Sequence, residues 1–128
     1  MPAKTWSFSA AVTDHFLRHV PQASPTTVYA ALFTAAPNPG GGGTEVSGGS
    51  YARAAVAFDP ADSGNCANTG VVTFPTASGA WGTITSMGIY DASTGGNLLY
   101  FGDLGTPKAI TTGDVAAFGV GALNVVEQ

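Results

Sequence analysis

His15 and His19 stand four residues apart, a spacing that sets two imidazoles on one side of a helix and lets them chelate a metal ion. A zinc protease places a glutamate directly after its first histidine. Here Phe16 occupies that position, and no third ligand follows. By helical angle both histidines fall with Phe8 and Val12, on the face expected to pack. Both also lie near the helix C-terminus, where a cationic imidazole is favoured by the backbone dipole. They read as packing or subunit-contact residues. The acids Asp14, Glu45, Asp59, Asp62, Asp91, Asp103, Asp114 and Glu127 fall mostly in loops and turns. Asp59 and Asp62 with Asn65 have the oxygen spacing of one end of a calcium loop. The segment DPADSGNCAN departs from the EF-hand pattern, however, and Asx turns explain it more simply. A glycosidase needs two carboxyls held at a set separation on rigid elements, which Asp91 and Asp103 in loops do not offer. No Gly-x-Ser-x-Gly elbow is present to support a serine nucleophile. Cys66 has no basic neighbour to lower its pKa. Gly40 to Gly43 lack the Lys-Ser/Thr ending and the following helix of a phosphate loop, and read as a flexible spacer. No catalytic residue, cofactor or metal is expected, and the chain does not read as an enzyme.

Composition says more. Of 128 residues, 12 are Asp, Glu, Lys or Arg, or 9 %, against about 25 % in an average domain. Small residues occupy positions where a freely diffusing protein carries lysine and glutamate. A surface so poor in charge is weakly protected from association, and charge depletion marks interface cores, so other subunits are expected to cover much of it. The net charge of −4, with Lys4, Arg18, Arg53 and Lys108 scattered along the chain, argues against a nucleic-acid partner. No apolar run approaches the roughly 18 residues of a membrane span. The start MPAKTWSF carries no charged-then-apolar leader, so synthesis in a cytoplasm is expected. A single cysteine permits no intrachain disulfide.

One domain spanning 1–128 is expected. Residues 1–7 read as an extended arm. Phe8, Val12, Phe16 and Val20 recur at helical spacing, predicting a helix over 8–20 capped by Ser7 or Ser9 and stopped near His19 by Pro21. A β-region follows over 26–126. TTVYAALFT (26–34) is apolar on both faces, so it reads as a central strand. Residues 35–50 and 59–70 read as loops. YARAAVAF (51–58) alternates, with Tyr51, Arg53, Ala55 and Ala57 on one face. VVTF (71–74) is a short strand stopped by Pro75. Strands at 83–90 and 98–101 form a hairpin around the turn DASTGGN, with Leu98 and Tyr100 pointing one way and Leu99 and Phe101 the other. Residues 108–111 form an edge strand, and 115–126 a final strand with a bulge at Gly119 and Gly121. About seven strands with turns every ten or so residues give an antiparallel β-sandwich or jelly-roll-like barrel with one N-terminal helix.

The stretches TVYAALFTAAP, GTEVSGGSYARAAVAF, VVTFPTASGAWGTITSMGIYDASTGGNLLYFGDL and TPKAITTGDVAAFGVGALNV occur in this order. They resemble a family of small virion proteins of tailed bacteriophages, from about Phe8 to Val126. The runs Ser-Gly-Gly-Ser-Tyr-Ala-Arg and Gly-Ile-Tyr-Asp-Ala-Ser-Thr-Gly-Gly-Asn-Leu-Leu are its most specific parts. Members are commonly labelled tail fibre or structural protein. The resemblance implies a structural role in the particle and carries no catalytic motif.

Within a particle, a fibre shaft needs repeats, a coiled coil or a triple-stranded β region, none of which the chain shows. The expected role is therefore a capsid decoration (cement) protein that binds the outer shell as a dimer or trimer and stabilises it through many replicated contacts. The expected partners are the major capsid protein and copies of itself, with no nucleic acid and no membrane. The expected location is the virion, after synthesis in the host cytoplasm. The alternative is a tail, baseplate or tail-fibre component, including a receptor- or glycan-binding one. The aromatics at strand spacing read as core, and Trp6 on the arm as a partner anchor. The candidate partner-binding residues are Trp6, Phe8, Phe16, Gly41, Gly42 and Arg53, with loop 38–50 as an alternative to the arm and helix.

Overall fold

The computed structural model describes residues 3–21, 27–40, 42–60 and 65–126. Asp62, Met1–Pro2 of the expected arm and Thr26 of the expected first strand lie outside them. In chain order the elements are β1 (Ala3–Lys4), α1 (Trp6–Leu17), β2 (Val28–Ala35), β3 (Thr44–Glu45), β4 (Ala54–Val56), β5 (Asn65–Ala67), β6 (Val72–Thr73), β7 (Gly82–Tyr90), β8 (Leu98–Ile110), β9 (Ala117–Phe118) and β10 (Asn124–Val126). The fold is mainly antiparallel β with one helix near the N-terminus, consistent with a β-sandwich.

One large sheet runs β1-β8-β7-β2, and the far edge of β2 is shared by β3 and β4. β2 is central, as its two apolar faces require. Ala30 and Leu32 face one core cluster, and Ala31 and Phe33 the other. The first cluster is the larger. Val72, Phe74, Ala77 and Leu123 cover it from a second layer built on the two-stranded pairs β6–β9 and β5–β10. Each fully buried side chain of this kind contributes roughly 1.5–3 kcal/mol.

Several expectations change here. The arm is tied down: Ala3 pairs with Phe101 and Lys4 with Tyr100. The cap is Thr5 rather than Ser7 or Ser9. Its Oγ1 accepts from Phe8 N at 3.4 Å and donates to Leu98 O at 2.7 Å, so one buried hydroxyl starts the helix and fastens it to β8. The helix spans Trp6–Leu17 rather than 8–20. His19, at φ 60°, turns the chain back while Arg18 N and Val20 N both donate to Asp14 O. No helix is long and apolar enough to cross a membrane among the described residues.

The return strand is 13 residues long and absorbs the separate edge strand expected at 108–111. Ser86 pairs with Asp103, and Ile84 next pairs with Lys108, so residues 104–107 bulge out and Pro107 falls where no ladder bond to β7 is needed. A second irregularity, Tyr90 with Leu98 and then Ile89 with Tyr100, inserts Leu99. It overturns the expected facing: Leu98 and Phe101 share a face, and Tyr100 lies on the opposite one. The expected loop at 59–70 contains β5, paired with β10. The expected strand at 115–126 is two strands. Gly121, at φ 78°, and the Ala122 N to Gly119 O bond make a turn between them. Of the expected 51–58 strand, Ala54–Val56 pairs with β2 and Phe58 makes an isolated bridge to Asn68. The glycine run is closer packed than a spacer. A Cβ on Gly43, whose φ is +77°, would lie 2.8 Å from Ala35 O.

Candidate functional site

The two most specific runs of the sequence meet in space. Residues 47–50 turn with positive φ at Gly48, Gly49 and Ser50, and residues 91–97 turn with positive φ at Gly95 and Gly96. Asp91 closes the second turn by accepting from Asn97 N at 2.7 Å. A Cβ on Gly96 would sit 2.5 Å from that carboxylate, so the turn closes around a position with no side chain.

Arg53 joins the two turns. Its Nε and Nη2 donate to Glu45 Oε2 and Oε1, both at 2.8 Å, in a bidentate fork. Its Nη1 donates to Ala92 O at 2.9 Å and Gly95 O at 2.8 Å. Its guanidinium lies 3.5 Å from the centroid of the Tyr90 ring. Tyr51 completes the cluster. It accepts from Leu32 N at 3.0 Å and donates to Glu45 Oε2 at 2.7 Å. Its hydroxyl therefore stands in the gap between β3 and β4, where the edge of β2 has no strand partner.

The electrostatics follow from this packing. The Glu45 hydrogen bonds hold the Arg53 guanidinium more firmly protonated than usual. Burial, reinforced by Glu45, pushes the Tyr51 phenol well above its ordinary value of 10.0. Burial also raises Tyr90. A raised phenol pKa stabilises the fold fully below pH 10, and that share is lost as pH climbs from the unfolded value toward the folded one. Stability should therefore fall above about pH 10. In Tyr51→Phe the alkaline fall should be shallower. Neutral stability should drop by about 1–3 kcal/mol because Leu32 N loses its acceptor. Denaturation midpoints from pH 7 to 11 check both.

Glu45 accepts three hydrogen bonds in this arrangement, one from Tyr51 and two from Arg53. Among the described residues, Asp59 and Asp114 are engaged in turns, whereas Asp103 stands in β8 rather than in the expected loop. Asp59 accepts from Ala67 N, Asp103 from Ser86 Oγ, and Asp114 from Thr111 N and Oγ1. The Thr111 bonds hold the Asp114 carboxyl below its ordinary value. His15 sits against Phe16 with Nδ1 toward Val20 O, and His19 lies beyond the helix. No three His, Cys, Asp or Glu side chains are placed to hold a metal among the described residues.

The candidate partner residues divide into two sets. Arg53 is turned inward, with its side chain 7 % exposed, and clasps its own chain. Gly41 lies outside the described residues. Gly42 is exposed at φ 75°. Trp6 opens the helix instead of standing on a free arm. It is 70 % exposed, with its ring close enough that a Cβ on Gly40 would be 3.3 Å away. Phe8 packs its ring edge-on to Tyr100 at 5.2 Å, and beyond that contact the helix buries no residue. Phe16 and Leu17 are 70 % and 74 % exposed. At about 100° per residue, Trp6 and Leu17 lie within about 20° of each other on the helix, and Phe16 lies about a quarter turn from them. Sequence reasoning missed Leu17, Glu45 and Tyr90. The signal for the clasp was present: in a chain this poor in charge, an acid and a cation flank one Gly-Gly turn.

No curated protein matches the chain. Residues 3–126 match the family described as Gp80, podophage GP4 fiber I protein gp80. That span contains both turns, the clasp and the helix. With nearly all its length matched, the chain belongs to this family, and it is a phage virion structural protein on the tail-fibre side.

Proposed function

We propose that the chain is a compact, non-enzymatic module of the tail-fibre apparatus, seated against neighbouring subunits through helix α1. The observation that carries this reading is the exposed Trp6, Phe16 and Leu17 on a helix that buries no residue of its own. Apolar side chains of this size each remove on the order of 150–250 Å² from water when covered, for the aromatics, and rank among the strongest interface anchors. Copies of the same chain, as a dimer or trimer, are the first partners expected. The low charge of the surface supports burial by neighbours.

Capsid decoration, with the major capsid protein as partner, is supported by the compact fold and by the absence of a repeat or coiled coil in this sequence. The fibre description of the family supports the tail side over it. Copy number separates the two: tens of copies or fewer per purified particle fit the tail, and hundreds fit the shell. A Trp6→Ser/Phe16→Ser/Leu17→Ser variant should keep its β-rich circular dichroism yet enter particles at least about tenfold less than wild type. A tenfold loss corresponds to about 1.4 kcal/mol of binding free energy. Incorporation at the wild-type level would refute the helix face as the seat. Hydrolysis of a host surface polysaccharide by the purified chain would refute the non-enzymatic reading.

A further inference from the structure

Away from the helix face, a cleft of about 510 Å³ opens between β8 and residues 114–118. Buried Leu32, Ile84 and Ile110 line it, with Phe118 half-buried beside them and exposed Lys108 and Asp114 also on its wall. The volume lies in the range of ligand sites, roughly 300–1,000 Å³. The cleft adjoins a strand edge. β7 pairs with one edge of β8 as far as Ile110, while β1 pairs with the other only opposite Tyr100 and Phe101. Among the described residues no strand continues that outer edge over 102–110.

We propose that this edge and cleft receive an extended polypeptide segment of a partner chain. The segment adds as a strand beside 104–110, seats apolar side chains in the cleft and presents a carboxylate to Lys108. This surface is separate from the helix face, and the inference does not rest on the tail-fibre reading. Three observations favour a peptide occupant. β1 already docks antiparallel on the same edge, so strand addition is the mode this edge supports, and a partner strand would prolong an existing pairing. The apolar part of the lining is aliphatic apart from Phe118, whose ring meets Phe74 at 67°, and Thr106, Lys108 and Asp114 supply its polar part. This suits alternate side chains of a strand better than the flat face of a sugar ring. The charges are unequal in availability: Asp114 is committed to Thr111, while Lys108 has no ion-pair partner among the described residues. Pro107 and Lys108 also guard the edge against indiscriminate pairing, which leaves it selective for a segment that fills the cleft.

The test uses the full ¹⁵N-labelled chain and three synthetic probes: acetyl-Val-Glu-Val-Glu-Val-amide, its lysine counterpart, and a Gly-Ser peptide of equal length. The acidic probe should shift amide resonances of 104–110 and 114–118 and slow their hydrogen exchange. It should bind about tenfold tighter than the lysine probe. Lys108→Glu should reverse that preference, and Thr106→Trp, which fills the cleft from an exposed position, should abolish binding while the spectrum stays dispersed. Any of the following would overturn the proposal: no binding of the acidic probe up to ~1 mM, shifts confined to α1, indifference to Lys108→Glu, cleft shifts produced by monosaccharides but not peptides, or pairing of two copies of the chain through this edge in place of peptide binding.

Discussion

Arg53→Ala is expected to lower stability by about 3 kcal/mol, the lower end of the range for breaking a buried ion pair, because Glu45 keeps some contact with water. The loss has three parts. Glu45 is left with only the Tyr51 hydroxyl, the carbonyls of Ala92 and Gly95 lose their donor, and the Tyr90 ring loses its cationic cover. In urea the midpoint should fall by roughly 1–3 M for a slope of about 1–3 kcal/mol/M. Arg53→Lys should recover less than half of the loss, since an ammonium keeps the charge but not the planar fork. A double-mutant cycle with Glu45→Gln should show a coupling above about 1 kcal/mol. A loss under ~1 kcal/mol would reduce the clasp to an ordinary surface pair.

Trp81→Ala is expected to cost about 4 kcal/mol through the cavity it leaves. The indole is 5 % exposed, meets the Tyr51 ring edge-on at 5.3 Å, and donates from Nε1 to Gly49 O at 2.9 Å. It thereby fixes the turn that leads into Tyr51 and Arg53. A Cβ on Gly49 would lie 2.8 Å from Nε1, so the glycine is what allows the approach. Trp81→Phe should cost about 1–3 kcal/mol, chiefly from the unpaired Gly49 carbonyl. It should also remove the blue-shifted part of the fluorescence, leaving the emission of exposed Trp6. Because Tyr51 touches both Trp81 and the clasp, Trp81→Ala and Arg53→Ala should be measurably non-additive. Strict additivity would mean that turn and clasp are energetically separate.

The large sheet was readable because its strands carry strong local patterns. β2 is apolar on both faces, and the β7–β8 hairpin is bounded by a Gly-Gly turn. What escaped depends on partners distant in sequence. Whether Tyr100 faces with or against Leu98 depends on one inserted residue, Leu99, and period-two alternation has no term for a bulge. Pro107 reads as a strand breaker until the ladder is seen to skip it. β5 is a three-residue strand of polar and small residues, defined by β10 far along the chain. The Gly119–Gly121 signal was visible, but a bulge and a turn leave the same glycines. At the site, Phe16 follows from helical spacing and Trp6 reads as an anchor on an arm, whereas Arg53 looked free because its acid and its two carbonyls come from two separate segments, β3 and the turn 91–97.

The second layer has a kinetic consequence. Thr73 pairs with Ala117 and Asn65 with Val126, so the cover over the larger core cluster forms only when residues 114–126 return across long loops. Closing such loops is slow compared with zipping β7 onto β8. The hairpin is therefore expected to assemble first, leaving Leu32, Ile84 and Met87 uncovered until β9 and β10 dock. That interval is when the nascent chain is most prone to stick to its neighbours.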